Sequence, residues 1–110
     1  MKTFRTLAAL FVTFAALSAH ADMLGVTFSG DVYDIDSSDG SKTLLKSTGL
    51  IRVNSMASIS GTYYVASDDK LYTINKTTGN ATFFRQLTFA GSDDIRAMAF
   101  DSSGKLWAVT

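Results

Sequence analysis

The chain has 110 residues, with 10 Lys and Arg against 10 acidic residues that are all Asp, no Cys, no Pro and one histidine, His20. Setting aside 1–21, which read as an export signal, leaves 89 residues carrying 8 basic side chains and 10 Asp, a net charge of −2. That is one small domain without the basic footprint of a nucleic-acid binder, and with no imidazole or thiol for a Ser/His/Asp triad, a Cys/His pair or a zinc site.

The leading segment has three parts in the order of a secretory signal: Lys2 and Arg5, an apolar run over 7–17 broken only by Thr13, and the small-residue exit Ala19-His20-Ala21. Cleavage is expected between Ala21 and Asp22. The apolar run spans 11 residues, short of the roughly 20 that a membrane-spanning helix needs, so no stable span is expected after cleavage. The product is expected to be exported, to the periplasm or the extracellular space. Without disulfides its stability has to come from packed apolar surface or from association.

From residue 24 onward the pattern has period two, with β-branched and aromatic residues alternating against polar ones between clusters of Gly, Asn, Asp and Ser. Three strands are predicted at 24–28, 31–35 and 42–45. A four-stranded unit follows at 54–59, 62–66, 70–74 and 81–85, then two more strands at 95–100 and 105–109. No segment carries a helical stripe. Turns fall where Gly can take positive φ, as in Asn75-Lys76-Thr77-Thr78-Gly79 and Asp101-Ser102-Ser103-Gly104.

The strands repeat. Val26, Tyr33, Gly40 and Thr43 return as Val65, Tyr72, Gly79 and Thr82, all at one constant offset, and the segment 54–58 returns at 96–100. Nine short strands in a four-strand unit of about 40 residues are the pattern of propeller blades.

The strings LYTINKTTGNATFF and IRAMAFDSSGKLWAV resemble blades of bacterial exported β-propeller proteins of the YVTN and quinoprotein-like kind. The resemblance covers nearly all of 22–110. It implies an all-β fold of four-stranded antiparallel blades, here as an incomplete ring preceded by a signal-peptide helix. On activity it is nearly silent, because the matching residues pack sheets together. A closed propeller takes at least about four blades, whereas 22–110 hold three strands of one blade, a full blade at about 54–85 and two strands of the next. The expected partners are therefore the remaining blades of a longer parent, or a homo-oligomer that completes the ring. An isolated monomer would leave sheet faces and edges open, so association is expected.

Candidate chemistry is sparse, and no cofactor is expected. Asp93, Asp94 and Arg96 lie in the connection before 95–100, with Arg52 and Asn54 in the same region one unit earlier; in a propeller such connections ring the channel mouth where ligands bind. A carboxylate pair beside an arginine suits a cation or a polar ligand. Asp34, Asp36 and Asp39 before Gly40 resemble a calcium loop, but the spacing misses the hand-type pattern and Leu45 stands where the bidentate ligand belongs. A hairpin turn with Asp bonding its own backbone explains them better. Asn75 and Asn80 fit the N-glycosylation acceptor pattern. Tyr63, Tyr64, Tyr72, Phe83, Phe84 and Trp107 fall on strand positions expected to be buried as core. The function that follows is a non-catalytic binding or surface-interaction module, the alternative being part of a propeller lyase, hydrolase or quinoprotein-type dehydrogenase with its catalytic groups elsewhere.

Overall fold

The computed structural model describes residues 23–88 and 94–110. The export segment, the cleavage point at Ala21 and Asp22, and Asp93 lie outside the described residues. Nine strands run in chain order: β1 (Met23–Val26), β2 (Asp31–Ile35), β3 (Lys42–Ser47), β4 (Val53–Ile59), β5 (Thr62–Ser67), β6 (Lys70–Ile74), β7 (Ala81–Gln86), β8 (Ala97–Phe100) and β9 (Leu106–Val109). Each predicted strand has its counterpart, with ends moved by at most two residues. Among the described residues there is no helix.

The strands form three antiparallel sheets, in the orders β1-β2-β3, β4-β5-β6-β7 and β8-β9. They are stacked, and alternation along each strand decides what touches what. On the central sheet Met56, Tyr63, Val65, Tyr72 and Ile74 share one face, which packs against Leu24, Val26, Val32 and Leu45 of the first sheet. The opposite face presents Ala66 and Leu71 to Ile95, Met98 and Leu106 on the β8-β9 side. Val65 and Val32, both with 0% exposure, meet across the first of these interfaces. Burying a valine side chain fully stabilises the fold by about 1.5 kcal/mol or more.

The repeat is visible in the geometry. In the first sheet the pairing slips between Val32 and Tyr33, leaving Leu45 as an extra residue on β3. In the central sheet it slips between Leu71 and Tyr72, leaving Phe84 extra on β7, at the same place one repeat later. Such bulges twist a strand and turn two neighbouring side chains toward one face. One equivalence shifts: Tyr33 pairs with Gly25 while Tyr72 pairs with Val65. Gly25, not Val26, is thus the structural counterpart of Val65, because the β1–β2 turn is one residue longer than its counterpart between β5 and β6.

The described strands form no closed ring. One expectation needs correction, for the aromatic residues are not uniformly core. Tyr63, Tyr64 and Tyr72 are half-buried, whereas Phe83, Phe84 and Trp107 are 54%, 47% and 56% exposed. The physical reason is the stack itself. A strand residue is buried only where a neighbouring sheet lies over it: Phe84 lies at the margin of the two-stranded sheet, Phe83 sits beside Tyr72 on the opposite face of edge strand β7, and Trp107 is on the outward face of the last sheet.

The ends of the stack differ in chemistry. The first sheet turns Met23 and Leu44, about half exposed, outward beside Tyr33, with the Lys42 ammonium 4.7 Å from the Tyr33 ring centre. The last sheet turns Ala97, Ala99, Trp107 and Val109 outward around a shallow apolar hollow of about 150 Å³.

Candidate functional site

One end of the stack gathers the β1–β2 turn, the β3–β4 connection, the β5–β6 turn and the segment leading into β8. Arg52 ends the β3–β4 connection with φ at +52°, and Asp68 opens the β5–β6 turn with φ at +55°. The Arg52 Nε–H donates to Asp68 Oδ1 at 2.5 Å. That hydrogen bond, then the Asp68 charge, and more weakly Asp94, hold the guanidinium above its ordinary pKa. The connection is tied down from beneath, since Ser67 Oγ donates to the Ile51 carbonyl at 2.6 Å. Beside it the Lys70 ammonium donates to Asp69 Oδ1 at 3.0 Å, and the Gln86 amide donates to the Asp69 carbonyl. The Lys70 contact, then Gln86, lowers the Asp69 pKa.

Of the five residues expected here, the structure brings Arg52 and Asp94 within electrostatic reach of each other. Arg96 is exposed, and its backbone N–H donates to the Val109 carbonyl, closing the β8-β9 sheet. Asn54 sits inside β4, at the slip between Val53 and Ser55. Asp68 and Asp69, which among the described residues hydrogen-bond Arg52 and Lys70 at this end, escaped the sequence reading. Their signal was present: an Asp-Asp pair in a two-residue turn lies beside whatever basic residue the neighbouring connection supplies. Arg52 is 54% exposed and Asp68 26%, so the pair is well hydrated and weak. The end as a whole is a mixed-charge surface able to hydrogen-bond a polar partner.

At the opposite end the carboxylates shape turns. Asp36 Oδ1 accepts from the Ser38 backbone N–H at 2.8 Å and from its hydroxyl at 2.6 Å. Asp39 accepts from the Ser41 N–H at 2.8 Å, and Asp34 lies within β2 opposite Leu24 and Thr43. No group of three or more potential metal-ligating side chains occurs among the described residues. Asn75 repeats the motif, accepting from the Thr77 and Thr78 backbones.

Asp101 makes the fullest version. Its Oδ1 accepts from the Ser103 hydroxyl and from the Ser103 and Lys105 backbones, and its Oδ2 accepts from the Trp107 indole N–H at 2.9 Å. Ser103 and Trp107, in that order, hold its carboxyl far below the ordinary carboxylate range.

Two concavities lie on the central sheet. One, of about 380 Å³, is polar, with Thr62, Thr73, Thr82, Asn75 and Lys76 around it. The other, of about 420 Å³, is apolar and lies between the central sheet and β8-β9, lined by Tyr64, Leu71, Phe84, Phe100 and Leu106 with Arg85 beside them. Tyr64 packs against Phe84 and Phe100 with ring centres 5.3 and 5.4 Å apart. Sequence pattern could not reveal this cleft, because it arises where one sheet fails to cover another. Comparison with protein-family models, curated proteins and solved structures found no match to this chain.

Proposed function

We propose that the chain is an exported, non-catalytic interaction module built of β-propeller repeats. The observation that carries this reading is the stack. The central four-stranded sheet is apolar on both faces and packs against a neighbouring sheet on each side, and the bulged strand pair recurs from the first sheet to the central one. Sheets that bury themselves only against the next copy of the unit are the physical basis of propellers and other repeat folds. The two outermost faces and the β7 side of the central sheet display apolar area that suits a protein partner. The mixed-charge end around Arg52, Asp68 and Asp94 offers a polar rim.

Expression in a bacterial host with the leading segment intact tests the export half: the envelope fraction is expected to contain a product with the mass of 22–110. Full-length chain retained in the cytoplasm would overturn it. A photoreactive amino acid placed at Leu44 or Phe84 in the same cells tests the interaction half. Covalent adducts to protein are expected on irradiation, and their absence at both positions would overturn that half.

A further inference from the structure

We propose that β7 pairs edge to edge with β7 of a second copy of this chain, antiparallel and centred on Thr82. The proposal rests on the interaction-module reading and names both the partner and the contact.

Among the described residues, the first and the central sheet each leave their last strand unpaired on its outer side. After β3 the chain passes to β4 in the central sheet, and after β7 it passes to β8 in the third. The open edge is therefore a property of the repeated unit, present where the chain runs straight on into the next sheet. Such an edge offers a row of N–H and C=O groups to any strand that can approach, and lysines or bulges are the common protection.

The two edges are protected differently. Both carry the same bulge, at Leu45 and at Phe84. Strand β3 reads Lys42-Thr43-Leu44-Leu45-Lys46-Ser47, with a lysine on either side of its apolar pair. Strand β7 reads Ala81-Thr82-Phe83-Phe84-Arg85-Gln86, which keeps the second charge and puts alanine in place of the first lysine. Phe83 is 54% exposed although it lies beside Tyr72, with ring centres 5.9 Å apart, on the face that the first sheet covers. Its exposure belongs to the edge.

The stretch before the bulge is its own complement. The Asn75 N–H donates to the Asn80 carbonyl at 2.9 Å, so that pair bonds inward. Antiparallel pairs alternate, which turns the N–H and C=O of Ala81 and Phe83 toward the open edge and those of Thr82 toward β6. A two-fold axis at Thr82 then sets Ala81 of each copy opposite Phe83 of the other, and the two edges exchange four backbone hydrogen bonds. Ala81 and Phe83 share the face of Ile74 and Tyr72, so the small side chain leaves room for the ring opposite.

Charge separates β7 from β3. In the β7 pairing the two Arg85 side chains fall about 20 Å apart along the strands, too far to oppose it. The same axis at Thr43 would bring the two Lys42 side chains to about 7 Å along the strands, where like charges repel. The contact of two short strands is small, so the dimer exchanges with monomer.

The experiment uses an introduced thiol, since the chain has no Cys of its own. At Thr82 the pairing is of the non-hydrogen-bonded kind, with Cα atoms about 4.5 Å apart and within reach of a disulfide. Under mild oxidation of the purified protein, Thr82→Cys is expected to form a linked dimer at least about tenfold faster than Thr43→Cys, which places the thiol at an equally exposed position on the other edge. Rates of both thiols toward a small disulfide reagent normalise their intrinsic reactivity. Adding Ala81→Lys to Thr82→Cys is expected to remove the excess rate. Equal normalised rates at the two positions, or an excess that survives the added lysine, would overturn the proposal. Equal rates together with adducts to other proteins at Leu44 or Phe84 would leave the interaction reading standing and remove the second copy as the partner.

Discussion

The hairpins β2–β3 and β6–β7 share a turn signature, with Gly40 and Gly79 at equivalent places and both at positive φ, yet only the second is packed. Gly79 touches the backbone and Cβ atoms of the neighbouring sheet, whereas Gly40 projects into open space. The strands they connect match too, since Val32 and Leu71 occupy the same position beside the bulge and are buried to 0% and 3% exposure. Repetition therefore sets the conformation of each hairpin, and position in the stack sets its environment. An identical local structure is core in one place and free surface in another.

The largest effect expected is at the position where the two units agree. Leu71→Ala should cost about 3 kcal/mol and Val32→Ala about 2 kcal/mol, as lost transfer energy plus the residual cavity. Urea unfolding at one fixed protein concentration measures both. A loss at Val32 well below 1 kcal/mol would break the equivalence of the two sheets.

Next come the turn glycines, where the units differ. Gly79→Ala combines left-handed backbone strain with a clash against two Cβ atoms that cannot rotate away, and should cost about 2–3 kcal/mol. Gly40→Ala meets only the strain, about 1 kcal/mol. Equal losses in thermal or urea unfolding would show that the packing difference between the hairpins carries no energy.

The smallest effect concerns the β8–β9 turn, where an aspartate again bonds its own turn. Asp101 has a folded-state pKa depressed below its ordinary 3.8 by the Ser103 and Trp107 hydrogen bonds. A depressed carboxylate contributes stability that is fully present above the unfolded value and is lost as pH falls through the folded one. Trp107 emission in native protein is thus expected to stay constant from neutral pH down to about 4 and to change only in stronger acid. Asp101→Asn should remove that acid dependence, and an emission change already complete near pH 5 would contradict the assignment.

Much of this architecture was legible in the residues because a strand's signal is local. Lys70-Leu71-Tyr72-Thr73-Ile74 alternates with period two and ends at a turn, and β6 has those bounds. The Asp and Asn turns were legible for the same reason, their bonds reaching from two to six residues along the chain. The Arg52–Asp68 contact was not legible, because it joins residues 16 apart whose meeting depends on two turns from different strand pairs. The burial of aromatics was misread where it depended on a neighbour: Tyr64 packs against Phe100 of β8, Phe84 lies at the margin of that cover, and Phe83, beside Tyr72 on the opposite face, is left half exposed on edge strand β7.

Composition, alternation and repeat by themselves determined the all-β class, the nine strands, the glycine turns and the exclusion of histidine and cysteine chemistry from 22–110. Only the tertiary structure decided which copy of each repeated feature is covered, where the apolar cleft opens and which carboxylates engage the arginine and lysine at the loop end. Backbone conformation is governed by neighbours along the chain, and the sequence carries that information directly. Burial is governed by which sheet lies across which face, and nothing within a single repeat records whether another one stands beside it.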